Sequence, residues 1–177
     1  MGNIMNNSEQ KKLTKTMTYT AIMIALYFVL SALFRIPVAG HISIDLGYIV
    51  LMVAAVCLGA VPAMLVGSLG ALLESMVLAQ RGISVGWVLM NAIIGYVCGL
   101  ILSKSADKSR RVFIFTAIIV VIVSVFLGVV VKTLIDCAIY NLTIVVKIPT
   151  GIVAGLLDSF IMLAVGLPLS LQLRGKI

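Results

Sequence analysis

GAVPAMLVGSLGALLES (Gly59–Ser75) carries a small residue at every fourth position: Gly59, Ala63, Gly67, Ala71 and Ser75. Steps of four along an α-helix form one ridge, and this ridge has almost no side-chain bulk. In a bilayer, packing rather than the hydrophobic effect draws helices together, so such a ridge lets two backbones approach closely. The stretch therefore reads as a helix-packing seam. It ends beside Glu74, a carboxylate within an apolar run, which packing does not explain.

The rest of the chain fits a membrane setting. Its 177 residues are 62% hydrophobic and 11% charged, with a mean hydropathy of +1.24. Soluble domains carry about 25% charged residues. A span needs about 20 mostly apolar residues, so five or six helices fit and a soluble catalytic domain does not. The fold expected is all-α: an integral membrane six-helix bundle over residues 16–177, after a polar cytoplasmic tail at 1–15.

The net charge of +7 is a matter of topology. Of the 13 Lys and Arg residues, most fall in three clusters: Lys11, Lys12 and Lys15; Lys104, Lys108, Arg110 and Arg111; and Arg174 with Lys176. Placing all three on the cytoplasmic side satisfies the positive-inside rule, with both termini inside and an even number of spans. No nucleic-acid partner is implied. Cys57, Cys98 and Cys137 are isolated in apolar runs, without CxxC spacing, and read as small buried residues. The first apolar run is long and lacks a convincing small-x-small cleavage site, so it reads as an uncleaved helix.

Along the chain, helix 1 is expected at about 16–34, with Ala21 and Ala25 four residues apart. An outer loop with some extended character follows at Arg35–Gly47, containing Pro37, His41 and Asp45. The apolar run at 48–79 would make about 48 Å of helix against a core of about 30 Å, too long for one span. Gly59 and Pro62 form a turn-then-start signal, splitting the run into a short helix 2 (48–58) and helix 3 (62–78). Gln80–Gly82 is expected as a tight turn. Helix 4 (83–102) carries Trp87, Asn91 and the Gly95/Gly99 pair. Helix 5 (112–136) leads to an outer loop at 137–146 holding Tyr140 and Asn141, and helix 6 (147–173) carries Gly151/Gly155 and Pro168.

Depth along the helices orders the polar residues. At about 1.5 Å per residue, Asn91 lies about 12 Å and Asp158 about 16 Å from their outer helix ends, and Glu74 about 6–9 Å. Lys132 and Asp136 sit at the outer end of helix 5, spaced as an i, i+4 pair. Several helices thus place polar groups in the outer half, where intramembrane ionisable groups usually face a wet cavity or a partner. The expected substrate-binding set is Asp45, Glu74, Arg81, Trp87, Asn91, Lys132, Asp136, Tyr140 and Asp158, roofed by the Arg35–Gly47 loop. Lone His41 has no second metal ligand near it, and no metal or cofactor is expected.

With these residues in place, the chain resembles the S components (substrate-binding subunits) of energy-coupling factor (ECF) vitamin transporters. The resemblance is carried by Ala21-x-x-x-Ala25 after a basic N-terminus, by ISIDLGYIVLMVAAVCLGAVPAMLVGSLGALLES (Ile42–Ser75), and by NAIIGYVCGL (Asn91–Leu100) with the basic loop after it. It implies a six-helix protein of the cell membrane with both termini cytoplasmic, capturing a water-soluble vitamin or precursor from outside. It further implies a transmembrane scaffold subunit, on which the Ala21/Ala25 face docks, and two cytoplasmic ATPases. The folate-type Pro-Gly-Phe signature before helix 4 is absent; GISVGW (Gly82–Trp87) stands there and selects no other vitamin.

Other classes fit less well. GLILSKS (Gly99–Ser105) lacks the glycine before the lysine that a phosphate loop needs. No HExxH occurs and the sole His lies in the expected outer loop, so acid–base or zinc chemistry has few candidate players and no enzyme is expected. The strongest competitor is a stand-alone secondary transporter in which Glu74 and Asp158 relay ions. The absence of a long internal repeat weakens it.

Overall fold

The computed structural model describes residues 7–34, 36–39, 42–77, 84–106, 108–140 and 144–174. The helices are α1 (Asn7–Leu33), α2 (Gly47–Cys57), α3 (Ala60–Val77), α4 (Val85–Ser105), α5 (Arg110–Tyr140), α6 (Ile144–Ile161) and α7 (Leu167–Leu173). Strands β1 (Ile36–Ala39) and β2 (Ile42–Ile44) form a small antiparallel hairpin between α1 and α2, with a register irregularity between Pro37 and Ala39. The expected extended character of that loop is thus a two-stranded ribbon. The fold is otherwise an all-helical membrane bundle. Among the described residues, five helical stretches are long and apolar enough to span a bilayer, and α2 is a shorter apolar helix.

Helix α2 is apolar on every side, so it belongs inside rather than at a surface. Residues Val50 to Val56 are all buried, and α2 packs against α1, α3, α4, α6 and α7. At 11 residues it is about 16 Å long, half of what a span requires. It ends as the sequence implies. Gly59 adopts φ +94, a left-handed conformation that glycine reaches without a Cβ penalty. Pro62 then lies in the first turn of α3, where backbone N–H groups have no helical partner to lose.

The small-residue ridge is a seam between α3 and α4. A Cβ on Gly67 would stand 2.5 Å from the Asn91 carbonyl oxygen, and one on Gly99 would stand 2.6 Å from the Cα of Ala60. Gly95 packs directly on the Ala63 carbonyl. These pairs run in opposite order along the two helices, so α3 and α4 are antiparallel. On its other side α4 meets α5, where Gly128 packs on Met90 and Ile94 and the Cys98 Sγ lies 3.1 Å from the Ser124 Oγ. Gly151 and Gly155 receive Val129 and Val125 of α5, as their spacing suggests.

Three boundaries differ from expectation. Helix α1 begins at Asn7, so residues 7–15 of the expected tail are helical; Leu, Lys, Glu and Gln are good helix formers and nothing there breaks the run. Helix α5 continues to Tyr140, because Cys137-Ala138-Ile139 contains neither Gly nor Pro, and the loop expected at 137–146 shrinks accordingly. The single expected helix 6 is α6 and α7 joined by a π-helical turn at Met162–Gly166. Pro168 cannot donate its backbone N–H, and a widened turn beside it is a known accommodation. The Gln80–Gly82 turn, His41 and Asn141 lie outside the described residues.

Candidate functional site

Antiparallel packing brings the C-terminal halves of α1, α3 and α5 to the same end as the starts of α2 and α4. At that end the buried polar groups meet. Asp45, Glu74, Asn91, Asp136 and Asp158 are all buried, none more than 4% exposed. Groups facing lipid would be exposed; these point inward.

The cluster starts at the hairpin. Asp45, just after β2, accepts hydrogen bonds from the Ser31 hydroxyl (2.6 Å) and the Gly47 amide (2.7 Å) through the same Oδ1. Its carboxylate thereby ties the end of the hairpin to α1 and to the first turn of α2. Gly47 leaves no room for a Cβ against Ser31 and Asp45, so the junction is tightly closed.

One layer further in, the Tyr27 hydroxyl donates to Asn91 Oδ1 (3.1 Å), and the Asn91 amide donates to the Trp87 carbonyl (2.9 Å). Trp87 Nε1 donates to Glu74 Oε2 at 3.4 Å. The Trp87 ring stands edge-on to Tyr48, with centroids 6.3 Å apart and planes at 89°. Trp87 thus turns toward the cluster. Tyr27 in turn packs against Gly70, which has no space for a side chain. Asp45, Glu74 and Asp158 all lie in the neighbourhood of both Tyr27 and Tyr48. Five elements therefore converge around two buried tyrosines: α1, the β2–α2 junction, α3, α4 and α6.

Beside this group, Lys132 Nζ and Asp136 Oδ2 form an ion pair at 2.8 Å within α5. Asp136 Oδ1 packs against Gly86 of α4, 2.5 Å from where a Cβ would stand. The pair is both the i, i+4 contact that the spacing implies and a wall beside α4. Tyr140, at the end of α5, is 47% exposed and four residues beyond Asp136. Arg81 lies outside the described residues. Tyr27, Ser31 and Tyr48 were not among the expected site residues. Tyr27 and Ser31 share a helix face four apart, and Tyr48 follows Asp45 by three, but apolar neighbours mask both signals.

The opposite end carries the basic residues. Lys104, Lys108, Arg110 and Arg111 are exposed there, at the α4–α5 connection. Arg174 donates to the Ala106 carbonyl, closing the end of α7 onto that connection. Cys57 Sγ reaches the Ser170 carbonyl at 3.7 Å. Ala21 and Ala25 are exposed on α1, alongside Met17, Ile22, Leu26 and Val29. Among the described residues no cluster of His, Cys, Asp and Glu is arranged to hold a metal.

The fold is thus that of a multi-pass helical membrane protein with polar groups buried at one end and cations at the other. The chain belongs to the family of the ECF-type riboflavin transporter, S component, whose profile matches residues 11–175. It is also similar to a UPF0397 protein of Onion yellows phytoplasma (strain OY-M), 33% identical over 106 residues, or 60% of this chain and 56% of that protein. The match thus spans little more than half the length of that relative.

Proposed function

We propose that this protein captures a water-soluble vitamin or vitamin precursor from outside the cell, at the buried polar cluster around Tyr27 and Tyr48. It delivers the molecule inward together with a transmembrane scaffold and two ATPase subunits. Riboflavin, named in the family's description, is the first compound to test. The observation that carries this reading is the enclosure of Asp45, Glu74, Asn91 and Asp158 at the end opposite the basic residues. Under the positive-inside rule, the basic end faces the cytoplasm and the cluster faces out. Lys132, Asp136, Arg81 and Tyr140 complete the proposed rim. The exposed Ala21/Ala25 face of α1 is the scaffold-docking surface, since small residues let a partner helix approach closely.

The test is to purify the chain alone and identify by mass spectrometry any small molecule that travels with it. Titration with riboflavin, followed by quenching of flavin fluorescence, then asks whether the flavin itself binds. Tight binding of one small molecule without any ion gradient supports the reading. Gradient-driven uptake by the isolated chain in proteoliposomes would instead make it a secondary transporter.

A further inference from the structure

Tyr48 is wholly buried, and its hydroxyl has no hydrogen-bond partner among the described residues. Such a group is costly in any protein interior, and more so in a membrane protein, where water is not at hand to satisfy it. Buried polar atoms left without a partner are few in native structures and call for a reason.

The surrounding donors are already committed. The Tyr27 hydroxyl is spent on Asn91, the Asn91 amide on the Trp87 carbonyl, the Trp87 indole on Glu74, and the Ser31 hydroxyl on Asp45. Asp45 and Glu74 act as acceptors in these contacts. Tyr48 therefore stands in an acceptor-rich cluster with a hydroxyl proton that no described neighbour takes. Beside it lies the half-buried indole of Trp87, a flat apolar surface perpendicular to the Tyr48 ring.

We propose that the Tyr48 hydroxyl contacts the captured molecule directly, donating a hydrogen bond to a carbonyl oxygen or ring nitrogen of a planar heterocycle. This rests on the capture reading above and names the group that reads the ligand's acceptor. A ligand that lacks an acceptor at that position leaves the hydroxyl as it is. Such a ligand is discriminated against, because a site with a polar group to satisfy rejects analogues that cannot do so.

The experiment compares full-length wild type with Tyr48→Phe, each purified in detergent and freed of ligand. Riboflavin is the first probe; if wild type does not take it, the probe is the compound recovered from the purified protein. The variant is expected to bind about tenfold or more weakly, since the ligand's acceptor loses its donor in a dry site. Its ligand-free melting temperature is expected to stay level or rise, because the phenyl ring leaves no unsatisfied hydroxyl. Unchanged affinity in Tyr48→Phe, with wild type binding, overturns this assignment and leaves the capture reading intact. A lower ligand-free melting temperature together with weaker binding also overturns it, marking Tyr48 as a packing residue. Wild type that binds no small molecule overturns the capture reading and this one with it.

Discussion

The carbonyl oxygen of Asn91 lies so near the Cα of Gly67 that a Cβ there would be 2.5 Å away. Asn91 is therefore held twice, by its backbone against the α3 ridge and by its side chain between Tyr27 and the Trp87 carbonyl. Close packing and the proposed capture site share a residue. Gly67→Val is expected to destabilise the protein by about 1–3 kcal/mol through overpacking, and to weaken ligand binding as α4 shifts. Thermal melting and a binding titration check this; a variant with wild-type values on both would mean that α3 and α4 separate freely.

Removing the Asn91 side chain separates the two roles. Asn91→Ala leaves the seam intact and the Tyr27 hydroxyl without its acceptor, a loss of about 1–3 kcal/mol for a buried donor. Ligand affinity is expected to fall while expression stays normal. Asp158→Ala should weaken binding in the same assay. Unchanged affinity in both variants would remove these residues from the site.

Asp45→Ala takes away the common acceptor of the Ser31 hydroxyl and the Gly47 amide. A cost of about 1–3 kcal/mol is expected for each buried group left unsatisfied. The hairpin should also loosen from the bundle, seen as faster limited proteolysis within residues 36–44. Cleavage at the wild-type rate would show that Asp45 does not anchor it.

Ala21→Leu and Ala25→Leu add bulk to an exposed face that touches no other part of the site. Binding by the purified subunit is expected to survive in both, while co-purification with a scaffold subunit and uptake are lost. Loss of binding instead would place the defect in folding.

The chain has a single tryptophan, and it borders Glu74 and Tyr48. Ligand addition should therefore change intrinsic tryptophan emission, with Trp87→Phe abolishing the signal. A saturating ligand that leaves the emission untouched would place binding elsewhere.

Much of this was legible in the sequence, and the exceptions have physical causes. The Gly59–Ser75 ridge announced its seam because small-residue spacing translates directly into backbone proximity. Glu74, Asn91, Asp136 and Asp158 announced themselves because ionisable or amide groups in apolar runs demand an explanation. Tyr27 and Tyr48 did not, since a tyrosine among aliphatic neighbours is equally a core residue or a lipid-facing one. Only the three-dimensional arrangement shows what its hydroxyl meets. The π turn at Met162–Gly166 was likewise hidden, because one Pro in a helical pattern does not say how the backbone will yield. The end of α5 is not legible either, because residues 137–140 carry neither Gly nor Pro and nothing in the sequence marks where the helix stops.

Helix α2 gives the bundle a solid centre. Its side chains from Val50 to Val56 are packed on all sides, so buried aliphatic groups fill the middle of the bundle between the polar end and the basic end. Passage toward the basic end does not follow the axis of the bundle. Under the capture reading proposed above, release toward the basic end therefore requires the bundle to move as a whole or its helices to part.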